Sequence, residues 1–481
     1  MIAFSNSRSG GGKGAVVIER LAKILGEAAV FDLGSNPHPE EVLARPEFVA
    51  AAETGLRVIV CGGDGTMTWI MASVDGVRER LGLDATRHEV MVSMMPLGTG
   101  NDLSRTFGWG GKFRSACTKA SWVAAVEKAE PTRLDRWLVS VMPSSRQQEG
   151  SAETKVPEVF SIHEFDTTVF TEPRHSVVSR GLHHLDTVTD LSRAHLELHE
   201  AEMRSDQFEA DFAPVDLEKT ESDKSETSFG DRGDKLLQAH AVPSESVLGQ
   251  GATWRSYDGT FSNYFSFGVD AAGAFAFHKA RRENPKRFSS RLKNQALYAW
   301  LGALATGGVC CCDGPPPRLA PITTLLCKDV EGAPPESESE SENDDAPPGW
   351  RRVRLPKRCR GIIVLNLRSY AGGRDLWGPP SRCRDCCDRR SFSGTPTVDD
   401  GILEVVTCDS IFDLAASLVT ANGLGGRARR LVRATELRIK LASDVFMQID
   451  GEPWHQPAAT VHIKSFGQST VLRNTSKKSC C

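Results

Sequence analysis

Two glycine-rich turns, each directly after an apolar run and each carrying a carboxylate, constrain this chain more than any other feature. The first reads VCGGDGTMTW from Val60, and the second reads MPLGTGNDLS from Met95. Glycine lets backbone amides approach a ligand without a Cβ in the way, and loops at the carboxyl ends of parallel strands form the ligand crevice of an open α/β sheet. Two such turns in tandem predict a site for a nucleotide polyphosphate between them.

The residues around these turns alternate short apolar runs with helical patterns. Val58 to Val60 is a continuous β-branched run, which is typical of a parallel strand buried on both faces. From Met67 to Leu81 the apolar residues recur at helical spacing, and the same strand-then-helix order returns around the second turn. This rhythm predicts an α/β nucleotide-binding domain with an open, mostly parallel sheet over residues 1–140.

The second half of the chain has a different pattern. After Trp254 the apolar residues alternate, as in Leu437-x-Ile439-x-Leu441 and Val445-x-Met447-x-Ile449, which is the period of half-buried strands. We therefore expect a largely antiparallel, β-sandwich-like domain over residues 253–470, interrupted by a helical stretch at residues 276–304 and followed by a tail at residues 471–481.

Two acidic segments separate the ordered patterns. Residues 141–252 are rich in acidic side chains, serine and threonine, and this composition predicts a mostly disordered insertion. Residues 331–348 contain the repeat ESESESEN between prolines, which predicts an exposed acidic loop.

Composition excludes several classes of protein. The formal net charge of −4 argues against a general nucleic-acid binder, because phosphate affinity needs a basic surface. The start of the chain has no apolar secretory signal, and no run of about 20 apolar residues occurs anywhere, so we expect a cytoplasmic protein whose contact with membranes is peripheral.

The two turns follow neither of the common nucleotide-binding patterns. GxxxxGK[ST] and GxGxxG are both absent, so the usual ATPase and dinucleotide interpretations fail on spacing. For any single residue a structural role is equally open: Asp64 could sit in a turn, and Asn101 or Asp102 could cap a helix.

The motifs taken in order resemble the catalytic and accessory regions of diacylglycerol kinases. The matching stretches are FSNSRSGGGKG from Phe4, CGGDGT, PLGTGNDLSRTFGWG, LDRW from Leu134, NYFSFGVDA from Asn263, LNLRSYAGGRDLWG from Leu365 and QIDGEPW from Gln448. The resemblance implies a two-domain lipid kinase that uses ATP and Mg²⁺ to phosphorylate the free hydroxyl of diacylglycerol. The cysteine-rich lipid modules common in regulatory members do not precede the motifs.

The resemblance also assigns candidate site residues. The ATP contacts that it implies are Asn6, Ser9, Gly10, Gly11, Gly62, Gly63, Asp64, Gly65, Thr66, Gly98, Thr99, Gly100 and Asn101. Asp64 is also the implied metal ligand.

Two carboxylate motifs compete for the role of general base, Asp64 and the triplet Asp450-Gly451-Glu452. The last carboxylate of the triplet has this role in bacterial lipid kinases that resemble the chain, so we assign the base to Glu452 and leave Asp64 to organise metal and phosphate. The alternative is structural, because an Asp-Gly pair after alternating apolar residues is a strong hairpin signal.

A cluster of cations favours a membrane partner. Lys279, Arg282, Lys286 and Arg287 lie in the predicted helical stretch and could contact anionic lipids, although such runs are often only solvated faces. Two other functions stay open: a kinase of another lipid alcohol such as sphingosine or ceramide, and a membrane-associated scaffold without catalytic activity.

Overall fold

The computed structural model describes residues 1–7, 13–34, 38–98, 100–143, 257–283, 317–330, 346–377, 395–410 and 428–475. The predictions for the insertion beyond residue 143 and for the acidic repeat at residues 331–345 lie outside the described residues.

The N-terminal half is an α/β unit, as predicted. Its strands are β1 (Ile2–Ser5), β2 (Val30–Asp32), β3 (Leu56–Gly62) and β4 (Val90–Pro96), and they pair in parallel in the order β2-β1-β3-β4. Its helices are α1 (Lys13–Leu25), α2 (Pro39–Leu43), α3 (Pro46–Glu53), α4 (Asp64–Leu81), α5 (Asp102–Thr106) and α6 (Ala120–Lys128). Helix α4 ends where Gly82 adopts a left-handed conformation with φ of 63°, a common helix stop.

The second half is built from antiparallel strands. They are β5 (Glu130–Pro143), β6 (Tyr257–Phe261), β7 (Tyr264–Gly268), β8 (Thr323–Lys328), β9 (Arg351–Val353), β10 (Gly361–Leu365), β11 (Leu403–Cys408), β12 (Arg429–Ala434), β13 (Glu436–Leu441), β14 (Val445–Ile449), β15 (Glu452–Gln456) and β16 (Ala459–Arg473). Among the described residues of this half, the helix α7 (Val269–Glu283) follows β7 and begins seven residues before the predicted start at residue 276. Residues 269–276 are all buried, Asp270 included, so the first two turns lack the exposed polar face that marks an amphipathic helix.

Strand β16 joins the two halves. It pairs in parallel with β4 at Thr470 and Val471, and antiparallel with β13 from Ala459 to Ile463. Along its other edge it pairs with β5 from end to end. Within the described residues the result is one ten-stranded sheet through both halves and a separate six-stranded sheet in the order β12-β11-β10-β7-β14-β15.

The apolar core follows this division. One buried cluster fills the space between the parallel sheet and its helices, and a second cluster, which includes Trp137, Phe265 and Ile439, lies in the β-rich half. The end of β16 lies against the first half. The Trp109 indole donates to the Leu472 carbonyl at 2.7 Å, and the backbone amide of Asn474 donates to the Phe107 carbonyl at 2.9 Å. These contacts fix the strand end beside α5.

None of the helices in the described part of the chain combines the length and apolar character needed to cross a bilayer.

A buried amide joins three segments of the β-rich half. The Asn366 side chain is 2% exposed, accepts from the Trp137 indole at 2.8 Å, and donates to the carbonyls of Asp135 at 2.8 Å and Ser262 at 2.6 Å. Each of these groups would be buried without a partner if the amide were removed.

We expect Asn366→Ala to lower the free energy of unfolding by about 3 kcal/mol, because a buried polar group left unpaired costs about 1–3 kcal/mol. Urea unfolding followed by fluorescence measures the change, and Ser465→Ala, at an exposed position, is the control. A loss no larger than that of the control would contradict the bridging role.

Candidate active site

The parallel register brings the predicted glycine loops to one edge of the sheet. Ser5 pairs with Cys61 and Gly62 pairs with Pro96, so β1, β3 and β4 end side by side. Asn6, the first turn and the second turn therefore follow neighbouring strand ends, as the sequence predicted. Ser9, Gly10, Gly11 and Thr99, also predicted to contact nucleotide, lie outside the described residues.

The two glycine turns touch each other directly. A Cβ placed on Gly98 would lie 2.5 Å from the Gly63 Cα and 2.9 Å from the Asn101 Oδ1. A Cβ on Gly100 would lie 3.2 Å from the Asp64 Oδ2. These glycines are required by the close approach of two loops, whereas a Cβ on Gly65 would meet nothing within 4 Å. Gly65 thus leaves an open surface at the start of α4.

The Asn101 side chain closes the second turn. The residue is 1% exposed and adopts a left-handed conformation with φ of 55°, which asparagine tolerates better than most residues. Its amide donates to the Gly98 carbonyl at 2.6 Å and to the Gly111 carbonyl at 3.2 Å. Asn101 stands at the N-cap position of α5 but makes no side-chain cap bond, so the capping role considered for it is absent. Its buried Oδ1 has no partner.

The cap of α5 is Asp64, which belongs to a different helix. Its two carboxylate oxygens accept from the backbone amides of Asp102 and Leu103, each at 3.0 Å. Burial raises the pKa of Asp64 to about 7, and the negative charges of Asp102 and Asp450 add to the rise, while the two amide donors oppose it. A bound cation would relieve this penalty.

The Asp102 carboxylate joins the two halves of the molecule. It is 3% exposed and accepts from the Ser369 hydroxyl at 2.5 Å, the Gly372 amide at 3.0 Å and the Gly373 amide at 2.9 Å. These donors belong to the loop after β10 in the β-rich half. The sequence suggested only a helix-capping role for Asp102, because nothing in the local pattern indicates a partner about 270 residues away.

The triplet that competes with Asp64 forms the β14–β15 hairpin. Asp450 and Gly451 both have positive φ, 49° and 97°, which is the geometry of a type I′ turn. The hairpin interpretation is therefore confirmed, and the Asp450 carboxylate accepts from the backbone amides of Ser262, Asn263 and Tyr264 at 2.9–3.1 Å.

The hairpin turn lies close enough to the glycine loops for their charges to interact. Burial raises the pKa of Asp450 to about 6, and the charge of Asp102 adds to the rise against the three amide donors. Glu452 opens β15 directly after the turn and is exposed. The triplet thus presents one partly buried carboxylate that orders the β6–β7 turn and one that is exposed.

A buried network behind the hairpin was not predicted. The Asp270 carboxylate is fully buried and accepts from the Ser266 hydroxyl at 2.6 Å, the Gln448 amide at 2.5 Å and the Tyr370 hydroxyl. Tyr370 lies between the residues that contact Asp102, so this network supports the same loop. The motifs around Asp270 and Gln448 were recognised, but burial of their polar groups could not be read from spacing.

Two other local contacts order the loops beside the site. The Asp32 carboxylate accepts from the amides of Ser7 at 2.9 Å and Gly34 at 2.8 Å, which fixes the chain just after Asn6. A Cβ on Gly62 would lie 2.4 Å from the Thr66 Oγ1, so this glycine makes room for the threonine.

Comparison with known families decides the identity of the fold. Residues 1–129 match the diacylglycerol kinase catalytic domain, and residues 260–453 match the diacylglycerol kinase accessory domain. The chain belongs to the diacylglycerol kinase family.

Individual relatives span the whole chain. Diacylglycerol kinase 1 from Oryza sativa subsp. japonica is 29% identical over 100% of this chain and 80% of its own length. Human diacylglycerol kinase zeta is 25% identical over 100% of this chain and 36% of its own length. A crystal structure of a diacylglycerol kinase from Bacillus anthracis str. Sterne covers 99% of this chain and 97% of its own, with 12% identity and a TM-score of 0.42.

The donor set of this family member suits a magnesium ion held together with substrate phosphates. Within the described residues no group of three or more metal-ligating side chains converges. Mg²⁺ in kinases is usually bound by one or two carboxylates plus phosphate oxygens rather than by an all-protein cage. Asp64 fits this role, since each of its oxygens accepts one amide and retains further acceptor capacity.

Gly98→Ala should destabilise the ligand-free protein, because the new Cβ would overlap Gly63 and force the two turns apart. We expect a fall in Tm of several degrees, corresponding to about 1–3 kcal/mol for overpacking. Gly65→Ala is the matched control, since its Cβ meets open space. Differential scanning calorimetry compares the two, and an equal effect on both variants would show that the turns do not depend on close contact.

Proposed function

We propose that this protein transfers the γ-phosphoryl group of ATP to the free hydroxyl of 1,2-diacylglycerol, giving phosphatidate and ADP in lipid signalling. The hydroxyl oxygen forms the new bond to phosphorus, its proton passes to a base, and the bond to the ADP oxygen breaks. The observation that carries the proposal is Asp64, a carboxylate with a raised pKa at the junction of two contacting glycine turns.

The glycine turns would hold the nucleotide. Gly62, Gly63, Gly65 and Thr66 stand at the start of α4, where unpaired amides and the helix dipole favour phosphate. Gly98, Gly100 and Asn101 form the opposite wall, and the loop with Ser9 to Gly11 together with Thr99 completes the predicted set. Mg²⁺, when bound, would neutralise the phosphate charge that develops during transfer. Asp64 would orient it, which is consistent with a carboxylate whose ionisation is disfavoured until a cation arrives.

Glu452 is the general base in this proposal. It is exposed directly after the hairpin turn, and Asp450 holds that turn through three amide contacts. The charge of Asp450 reaches Asp64, so the turn and the phosphate-binding loops face the same region. An exposed carboxylate there is accessible to a lipid hydroxyl, whereas Asp64 is only partly exposed and in this proposal holds the metal.

The substrate requires contact with a membrane surface. We propose that the protein is cytoplasmic and associates peripherally through the basic end of α7, where Lys279 is half-buried and Arg282 lies in the last turn. Lys286 and Arg287, which belong to the same predicted contact, lie outside the described residues. Anionic lipids attract such cations by about 1 kcal/mol for each residue near the surface.

Asp64→Asn should lower turnover by about 10²- to 10⁴-fold, because the variant loses the charge that orients metal and phosphate. Transfer of radiolabel from ATP is measured in mixed micelles that contain diacylglycerol, sphingosine, ceramide or no lipid. Asp444→Asn, at an exposed position on the β13–β14 connection, is the control.

The lipid panel separates the candidate functions. Label in phosphatidate that is lost in Asp64→Asn supports the proposal. Label only in a phosphorylated sphingoid lipid would assign another lipid alcohol, and no label from folded protein with Mg²⁺ would favour the scaffold.

Glu452→Gln should lower kcat with little change in the dissociation constant for ATP, because the base acts on the lipid hydroxyl and not on the nucleotide. Glu79→Gln, at an exposed position on α4, is the control. A normal kcat in Glu452→Gln would return the role of base to Asp64.

A further inference from the structure

The loop after β10 contacts Asp102 through a tight turn, Tyr370–Arg374, here called the 370–374 turn. The backbone amide and carbonyl of Tyr370 pair with those of Arg374 at 2.8 and 2.9 Å, which closes the turn at its base. Residues 371–373 between them all have positive φ, of 47°, 86° and 108°, and the amides of the two glycines point at the Asp102 carboxylate. A left-handed alanine is strained, so the surrounding structure must hold the turn in this shape.

The Tyr370 side chain anchors the turn to the β-rich half. Its hydroxyl donates to the Asp270 Oδ1, and the centre of its ring lies 4.8 Å from that of Tyr264. Tyr370 is 1% exposed and Asp270 is fully buried, so their hydrogen bond lies in a region of low dielectric, where it is stronger than in water. The turn that contacts Asp102 is therefore fixed by a second carboxylate behind it.

The other oxygen of Asp270 accepts from the strands that lead to the hairpin. Its Oδ2 accepts from the Ser266 hydroxyl at 2.6 Å and from the Gln448 side-chain amide at 2.5 Å. Gln448 lies opposite Ser266 in the pairing of β14 with β7, and it precedes Asp450 by two residues. A single carboxylate thus joins the first strand of the hairpin to the 370–374 turn.

Hydrogen bonds continue from this carboxylate to the proposed metal ligand. The 370–374 turn donates to the Asp102 carboxylate, and the backbone amide of Asp102 donates to Asp64. On the other side, Glu452 begins β15, which pairs with β14. The two carboxylates that the proposed reaction requires are therefore placed relative to each other across Asp270.

We propose that Asp270 is a positioning residue for phosphoryl transfer, which holds the exposed Glu452 carboxylate at its working distance from Asp64 and the bound phosphates. Asp270 is fully buried, so it acts only through the residues that it bonds. The inference rests on the proposed function, because it takes Glu452 as the general base. Misplacing a reacting group by about 1 Å lowers the rate about 100-fold, so a bond remote from the substrate can control turnover.

Tyr370→Phe tests the link, because it removes one hydroxyl and keeps the ring against Tyr264. We expect kcat for transfer from ATP to diacylglycerol in mixed micelles to fall about 10- to 100-fold. The dissociation constant for ATP, measured by calorimetric titration, should stay the same, because the proposed nucleotide contacts lie in the other half of the molecule.

Thr407→Val is the matched control. Its buried hydroxyl contacts the Cys359 sulfur at the opposite end of the same six-stranded sheet, where Thr407 pairs with Ile362 on β10. The control also loses a buried hydroxyl contact, so we expect its Tm to fall while its kcat stays normal. A fall in kcat of equal size in both variants would show a general loss of stability and would overturn the positioning role.

A double-mutant cycle with Glu452→Gln shows whether the hydroxyl acts through the base. If Asp270 acts by placing Glu452, Tyr370→Phe should change kcat by less than about twofold in the Glu452→Gln background. An equal fall in both backgrounds, or a normal kcat in Tyr370→Phe alone, would overturn the inference.

The single variants test the proposed function separately. Absence of transfer by folded wild type, or a normal kcat in Glu452→Gln, would reject the reaction or its base, and the inference with it. A slow Glu452→Gln with additive effects would reject only the role of Asp270. Gln448→Met removes the donor on the hairpin side at nearly the same volume, so it should behave like Tyr370→Phe, and a normal kcat in this variant would also contradict the inference.

Discussion

The arrangement of the candidate site depends on carboxylates that accept backbone amides from other segments. Asp64 caps α5 through the amides of Asp102 and Leu103, and Asp102 in turn accepts from the loop after β10. Asp450 holds the β6–β7 turn in the same way. Each contact satisfies amides that would otherwise be left unpaired at a helix start or a loop. The two halves are therefore held in register by directional bonds at the site itself.

The same contacts concentrate negative charge. Asp64, Asp102 and Asp450 are brought close enough for their charges to interact, and burial raises the pKa of Asp64 and of Asp450. An arrangement that disfavours ionisation without a cation gains most from binding one.

Strand β16 explains how two different sheet patterns become one molecule. The C-terminal part of β16 pairs with β4 and continues the parallel sheet. Its N-terminal part pairs with β13 in the antiparallel half, and β5 pairs with β16 along its whole length. The boundaries predicted at residues 140 and 470 both fall inside these two strands. Alternating apolar residues indicate that a strand has one buried face, but they carry no information about which strand lies beside it.

The sequence by itself determined the local elements and the location of the glycine turns. Strands β3 and β4, helix α4 and the hairpin at Asp450-Gly451 follow from apolar periodicity and turn chemistry, which act over a few residues. Only the tertiary structure decided which side chains meet. The contacts of Asp102 with the loop after β10, the buried network of Asp270 and the ion pair of Arg136 with Asp75 join segments far apart in the chain. Such contacts arise from packing and from satisfying buried polar groups, and no local pattern encodes them.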